Sequence, residues 1–193
     1  MKLLRLSVLT VLLLQLYGCA VLLVGGAATS GYIVAQDRRT AGTMLNDQRI
    51  EVRIKDYLTQ DKEMLEATHL KVRSYNGIVL LAGETTRADY AQRLNDYAKA
   101  ETHVREVRNE LQIGEPSEMA YRRNDVALTS RVRSRLFSDG DVRSAAVKVT
   151  VSQGTVYLMG LVTRDEADLA VETVRQVEGV QRIVRIFEFV KGD

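Results

Sequence analysis

The sequence predicts an α+β protein built of two tandem α-β-β-α-β modules. Each module reads as a small three-stranded mixed sheet with two helices packed on it, carried behind an N-terminal secretory leader. Three observations lead there: a gapless internal repeat, apolar alternation on both sides of a turn glycine in each copy, and a basic, then apolar, then cysteine pattern at the start of the chain.

The repeat comes first. Leu70 to Gly83 aligns onto Val147 to Gly160 at an offset of 77. Leu70 and Val72 lead to Val79 and Leu81 across Asn76 and Gly77. Val147, Val149 and Val151 lead to Val156 and Leu158 across Gln153 and Gly154. Alternation of period two around a two-residue turn with glycine in second place is a β-hairpin signal, because such turns need positive φ.

A helix start follows each hairpin: Thr86 with Asp89, and Thr163 with Glu166, each threonine read as the N-cap and each acid as a first-turn charge. Ala91, Leu94 and Ala98 mark one buried stripe, and Ala167, Ala170, Val171, Val174 and Val177 the other. A third strand closes each unit, with Val104, Val107 and Leu111 matching Val180, Ile183 and Phe187. Ahead of each hairpin lies an amphipathic helix, carrying Ile50, Ile54, Tyr57 and Leu58 in the first copy and Leu128, Val132 and Leu136 in the second. Gly114 to Ser117, with the sole proline at Pro116, separates the copies.

The N-terminus has a basic start (Lys2, Arg5), an apolar run from Leu6 to Leu16, and a small residue before the single cysteine. Leu16, Tyr17, Gly18 and Cys19 together resemble the lipobox of bacterial lipoproteins, with Tyr17 bulkier than the usual residue. The resemblance implies cleavage before Cys19 and acylation of its thiol. Each acyl CH₂ buried in a bilayer contributes about 0.8 kcal/mol, so several chains would hold the protein there permanently. An uncleaved transmembrane helix is the alternative, because apolar residues resume at Ala20 and continue to Ala35; Gly25, Gly26 and Gly31 interrupt that second run. In Gram-negative lipoproteins an Asp after the cysteine retains the protein at the inner membrane. Ala20 stands there, which by resemblance points to the outer membrane.

The expected organisation is a signal peptide over 1–18, the lipidated cysteine and a polar linker over 19–47, a first module over 48–113, a linker over 114–120 and a second module over 121–190. The order α-β-β-α-β, with V-x-V-x-x-x-x-G-x-V-x-L-x-G in its hairpin, resembles the BON domain. Two such units behind a lipobox resemble the dual BON-domain outer-membrane lipoproteins of Gram-negative bacteria. The resemblance implies phospholipid binding, support of outer-membrane integrity from the periplasmic side and, as in some members, enrichment at the division septum. It implies no enzymatic activity and no cofactor.

Composition agrees with a binding role. The 193 residues are 46% hydrophobic and 27% charged, enough for one large or two small cores. Net charge is +2, and Lys2 and Arg5 account for both charges, so bulk charge gives no argument for nucleic acid. A single cysteine excludes an intramolecular disulfide. His69 and His103 both fall in the first copy, too few for a zinc site without cysteine co-ligands and unaccompanied by a marked nucleophile. No phosphate-binding glycine loop is present in the modules.

The first helices of the two copies differ. Gln48 to Asp61 is charge-neutral, with Arg49, Arg53 and Lys55 against Glu51, Asp56 and Asp61. Tyr121 to Phe137 carries Arg122, Arg123, Arg131, Arg133 and Arg135 against Asp125 alone, a local charge of +4. At 100° per residue Leu128, Val132 and Leu136 face inward, while Val126, Ser130, Arg133, Ser134 and Phe137 gather on the far side.

An outward Phe137 and Val126 beside arginines suits an anionic bilayer interface. The expected phospholipid-binding set is Val126, Ala127, Ser130, Arg131, Arg133, Ser134 and Phe137, for an anionic lipid such as phosphatidylglycerol. Ala127 stands where a larger aromatic would be expected in lipid-binding members. The alternative is a solvated face with Phe137 folded back onto the core. A second functional reading makes the chain an adaptor for an envelope protein, either outer-membrane assembly machinery or a regulator of peptidoglycan hydrolysis.

Overall fold

The computed structural model describes residues 37–138 and 146–191. The signal peptide and Cys19 lie outside the described residues. Arg38–Asp193 forms one compact unit.

The first helix, α1 (Ala41–Thr59), starts where Thr40 accepts a hydrogen bond from the Thr43 amide on its side chain. This corrects the expected linker: from Ala41 onward the stretch leading to Asp47 is helix, and Asp47 itself is buried against the hairpin. Ile50, Ile54 and Leu58 form the inward stripe. A short helix α2 (Lys62–Glu66), capped by Asp61, was not signalled by periodicity and drops Met64 into the core.

Strands β1 (Thr68–Tyr75) and β2 (Ile78–Thr85) pair antiparallel, with Tyr75 opposite Ile78. Asn76 and Gly77 both take positive φ, +51° and +77°, the two-residue turn whose twist matches the strands. Helix α3 (Ala88–Ala100) returns the chain so that β3 (Glu106–Ile113) lies parallel to β2. The N-cap of α3 is Arg87, with no side-chain cap bond, and not Thr86 as expected. The Thr86 amide is held instead by the Ala67 carbonyl, and the Arg87 guanidinium forks onto Asp89.

The second module repeats the plan with α4 (Met119–Ser138), β4 (Val147–Ser152), β5 (Thr155–Val162), α5 (Arg164–Arg175) and β6 (Arg182–Phe189). Its sheet has the same order and sense, β4-β5-β6 with β6 parallel to β5. Here the expected threonine does cap: Thr163 and Glu166 form a reciprocal capping box on α5.

The last glycine of each repeat has a steric cause. A Cβ on Gly83, at φ +124°, would stand 1.9 Å from the His69 carbonyl oxygen, and one on Gly160 would stand 2.5 Å from that of Ala146. Backbone passes too close at both positions for any side chain.

Three apolar clusters hold the unit together. One lies between α1, α3 and their sheet, around Ile54, Leu81 and Leu94. Its counterpart lies between α4, α5 and theirs, around Val132, Leu158 and Val174. The third joins the two sheets through their other faces, with Ile78, Leu80 and Ala82 of β2 meeting Tyr157 and Met159 of β5 and Ile186 of β6. The layers therefore run helices, sheet, sheet, helices, and the modules pack back to back.

Candidate functional site

The sheet-to-sheet seam fixes how α4 is presented. Lys71 of β1 donates to the Val151 carbonyl at 2.8 Å and to Asp125 of α4 at 2.8 Å. Lys148 of β4 donates to the Ser74 carbonyl at 3.1 Å and to Glu51 of α1 at 2.6 Å. Tyr75 adds its hydroxyl to the Ala146 carbonyl. Tyr157 is fully buried in the seam, which pushes its phenol above the usual tyrosine range; Glu110 adds to the rise and Arg182 opposes it.

Each first helix also carries one buried carboxylate aimed at its own hairpin turn. Asp47 accepts from the amides of Asn76 (2.8 Å) and Gly77 (2.9 Å), and from the Ser74 hydroxyl. Asp125 accepts from the amides of Gln153 (3.0 Å) and Gly154 (3.1 Å). A turn with two positive-φ residues leaves its amides without strand partners, and a helix carboxylate satisfies both. Because Asp125 is occupied this way, it does not neutralise the arginines on the outer side of α4.

Those arginines are exposed except Arg122, which is partly buried. None of Arg122, Arg123, Arg131, Arg133 and Arg135 forms an ion pair with a described residue. Their bonds are to neutral acceptors: Arg122 to the Ser117 carbonyl, Arg133 to the Val149 carbonyl at 3.2 Å, Arg135 to the Gln176 amide oxygen at 3.3 Å. Phe137 is 81% exposed and Val126 71%. The aromatic ring does not fold back onto the core.

The seven sequence-derived residues fall into two sets on α4. Val126, Ser130 and Phe137 point away from the sheet, whereas Arg133, expected on that far side, bends its guanidinium to the β4 backbone at Val149. Ala127, Arg131 and Ser134 lie about a quarter turn round, facing the connection from α5 to β6. Two hollows line that flank. One, of about 510 Å³, runs past Ser130, Ser134, Arg135 and Gln176. The other, of about 710 Å³, runs past Tyr121, Asn124, Leu128 and Gln181. Arg131 lines both.

Met119 and Tyr121 are also exposed on α4 and were not among the expected binding residues. Met119 stands seven residues before Val126, a spacing that puts both on one stripe once the helix is known to start there.

The histidines separate. His69 Nδ1 lies 2.9 Å from Glu84 Oε2, and the Ser117 hydroxyl donates to the other oxygen of Glu84 at 3.2 Å. Ring and hydroxyl both bond the carboxylate and not each other, so this is not a nucleophile and base pair. His103 is exposed in a left-handed loop position, φ +70°. Among the described residues no group of three or more His, Cys, Asp or Glu side chains is placed to hold a metal, and no helix is long and apolar enough to cross a membrane.

Fold and surface together define a duplicated helix-on-sheet protein, its two copies joined through their sheets and only one bearing a cationic first helix. The BON domain model matches residues 46–115 and 124–190, and the chain belongs to the BON domain family. It is similar to the outer membrane lipoprotein DolP of Haemophilus influenzae, 32% identical over 186 residues covering 96% of each chain. It is also similar to the 21 kDa hemolysin of Actinobacillus pleuropneumoniae, 30% identical over 155 residues and 80% of each chain. Osmotically-inducible protein Y of Escherichia coli K12 is 26% identical over 158 residues, 80% of this chain and 78% of that one.

Proposed function

We propose that this chain is a noncatalytic lipoprotein of the outer membrane, anchored through acylated Cys19 and facing the periplasm, whose second module binds anionic phospholipid and helps maintain the membrane barrier, with enrichment at the division septum. The observation that carries the reading is α4: Phe137 and Val126 stand exposed on a helix whose five arginines form no ion pair with a described carboxylate. Each arginine near an anionic surface contributes up to about 1 kcal/mol, and the apolar tips enter the acyl boundary. The similarity to a named outer membrane lipoprotein over nearly the whole chain supports the anchor and its destination.

Vesicle flotation tests it. The fragment Arg38–Asp193 contains all three apolar clusters and both turn carboxylates, so it retains the folded body. It should float with phosphatidylglycerol vesicles, far less with phosphatidylcholine, and release as salt rises. Equal flotation by a variant carrying Arg131→Ala, Arg133→Ala and Phe137→Ser would overturn the assignment.

A second reading, an adaptor for an envelope protein, has its own observation. Leu45 and Val52, seven residues apart on α1, are exposed on the outer layer of the first module. A photocrosslinker at Val52 that captures one stoichiometric protein in cells, with no effect of the α4 variants, would favour it.

A further inference from the structure

The two open sides of the double sheet are finished differently. On one side run the edges of β1 and β4, and side chains close them. Glu51 accepts from the Ser74 amide, Lys148 donates to the Ser74 carbonyl, Lys71 to the Val151 carbonyl and Arg133 to that of Val149. On the other side run β3 and β6. In β3 the Asn109 side chain covers the Leu111 amide. In β6 no group among the described residues does the same. The Val190 amide bonds the Val162 carbonyl of β5, so by period two the even residues of β6 turn their amides inward, and Ile183, Arg185, Phe187 and Phe189 turn theirs out. The strand therefore presents an open row of donors and acceptors, of the kind that templates another strand.

The edge is complementary to itself. Two copies of β6 laid antiparallel with Ile186 opposite Ile186 set Arg185 against Phe187 and Ile183 against Phe189, each twice. That makes four hydrogen-bonded pairs of outward residues with no like charges opposed. One pleat back sets Arg185 against Arg185. One pleat forward leaves three such pairs and sends Ile183 past the end of the strand. The middle register also covers Phe189, which is 53% exposed beside Arg164.

We propose that two copies of this chain pair antiparallel through β6, joining their second modules into one six-stranded sheet. The two-fold axis of such a pair is normal to the sheet, so both copies keep α4 on the same face; a parallel pair would turn one copy over. One strand edge is a small contact, below the roughly 1,200 Å² of stable complexes, so the pair belongs to copies confined on a membrane and not to dilute solution. The register stands without the lipid-docking reading, and only the local concentration draws on the anchor.

The test uses the full chain carrying both Ile183→Cys and Phe189→Cys, oxidised in isolated membranes. Within one strand these positions lie about 20 Å apart and cannot bond, whereas across the pair their Cα atoms lie about 5.5 Å apart, which suits a disulfide. A dimer band should exceed that of either single variant by at least about fivefold, the single variants controlling for Cys19. Arg185→Pro in the same background should abolish the band, because proline removes an outward donor that the module's own sheet does not use.

Amide exchange in Arg38–Asp193 needs no substitution. Between about 0.01 mM and the millimolar concentration that tethering supplies, the amides of Arg185 and Phe187 should slow by at least about tenfold. Those of Val184 and Ile186, turned to β5, should not change. Equal bands from single and double variants, or a band that survives Arg185→Pro, would overturn the pairing. So would outward amides that exchange equally at both concentrations. A crosslinked band containing a different polypeptide would assign the edge to another protein's strand and overturn the self-pairing. A chain recovered outside the membrane fraction would overturn the anchor, and the exchange experiment would then decide the pairing by itself.

Discussion

Lys71 and Lys148, 77 positions apart, occupy equivalent places and reach across the same seam in opposite directions, each to a carbonyl of the other module's hairpin and a carboxylate of the other module's first helix. The seam is thus pinned twice by one device. Lys71→Met or Lys148→Met alone should cost about 1–2 kcal/mol in urea unfolding, since each ammonium is partly buried and leaves a carbonyl and a carboxylate short of a donor. The double variant should also raise hydrogen exchange on the seam faces of β2 and β5. Unchanged exchange there would mean that the apolar cluster alone holds the sheets.

Asp47 should matter more to stability than its place near the start of the folded body suggests. It takes two turn amides, a hydroxyl and the Arg39 guanidinium, which also lies 3.7 Å above the Tyr75 ring. Asp47→Ala is expected to cost about 3 kcal/mol or more, because each buried donor left unmade costs about 1–3. A chain begun at Gln48 should lose more than that relative to one begun at Arg38, because it also lacks the Arg38 bonds to Glu166 and the Leu161 carbonyl and the first turns of α1, read as a lower denaturation midpoint. Equal midpoints would remove the turn carboxylate from any structural role.

The repeat glycines are predicted to be unequal. Gly83→Ala combines a left-handed φ with a Cβ at 1.9 Å from a carbonyl oxygen, whereas Gly160→Ala meets one at 2.5 Å without that φ. We expect more than about 3 kcal/mol for the first and about 2 for the second. A thermal scan of the two variants that reversed this order would refute the steric account.

Tyr157 predicts an alkaline limb. Its phenol titrates higher in the folded chain than the ordinary value of 10.0, chiefly because burial penalises the phenolate. The associated stability is therefore complete below pH 10 and drains as pH rises from there toward the folded value. Tyr157→Phe should flatten the loss above pH 10 in urea titrations. A variant that loses stability as steeply as the parent would show that another group governs that limb.

The hairpins, the inward stripes and the order of elements are legible in sequence because they are local and periodic. The packing of module on module is not local, yet it left a trace. Ile78 to Ala82 and Val156 to Met159 are unbroken apolar runs, where a strand with one wet face would alternate, and strands buried on both faces read that way. The turn carboxylates were illegible for a different reason. Asp47 serves a turn 29 residues away, and nothing in its neighbours distinguishes it from a solvated acid in a polar stretch. Asp125 counted as one negative charge against five arginines, when its charge faces the hairpin and Lys71. On α4 the pattern gave the outward direction of Phe137 but left its final contact open, since a ring at a helix end can turn either way; the geometry leaves it in solvent.

Back-to-back stacking has a directional consequence. Helices α1 and α4 pack on the outer faces of the two sheets, on opposite sides of the seam that joins them. A flat bilayer touching one cannot touch the other. If α4 lies on lipid, Leu45 and Val52 of α1 look outward into the aqueous compartment, and the rigid seam makes the molecule a two-sided plate whose far side is set the moment its near side lands.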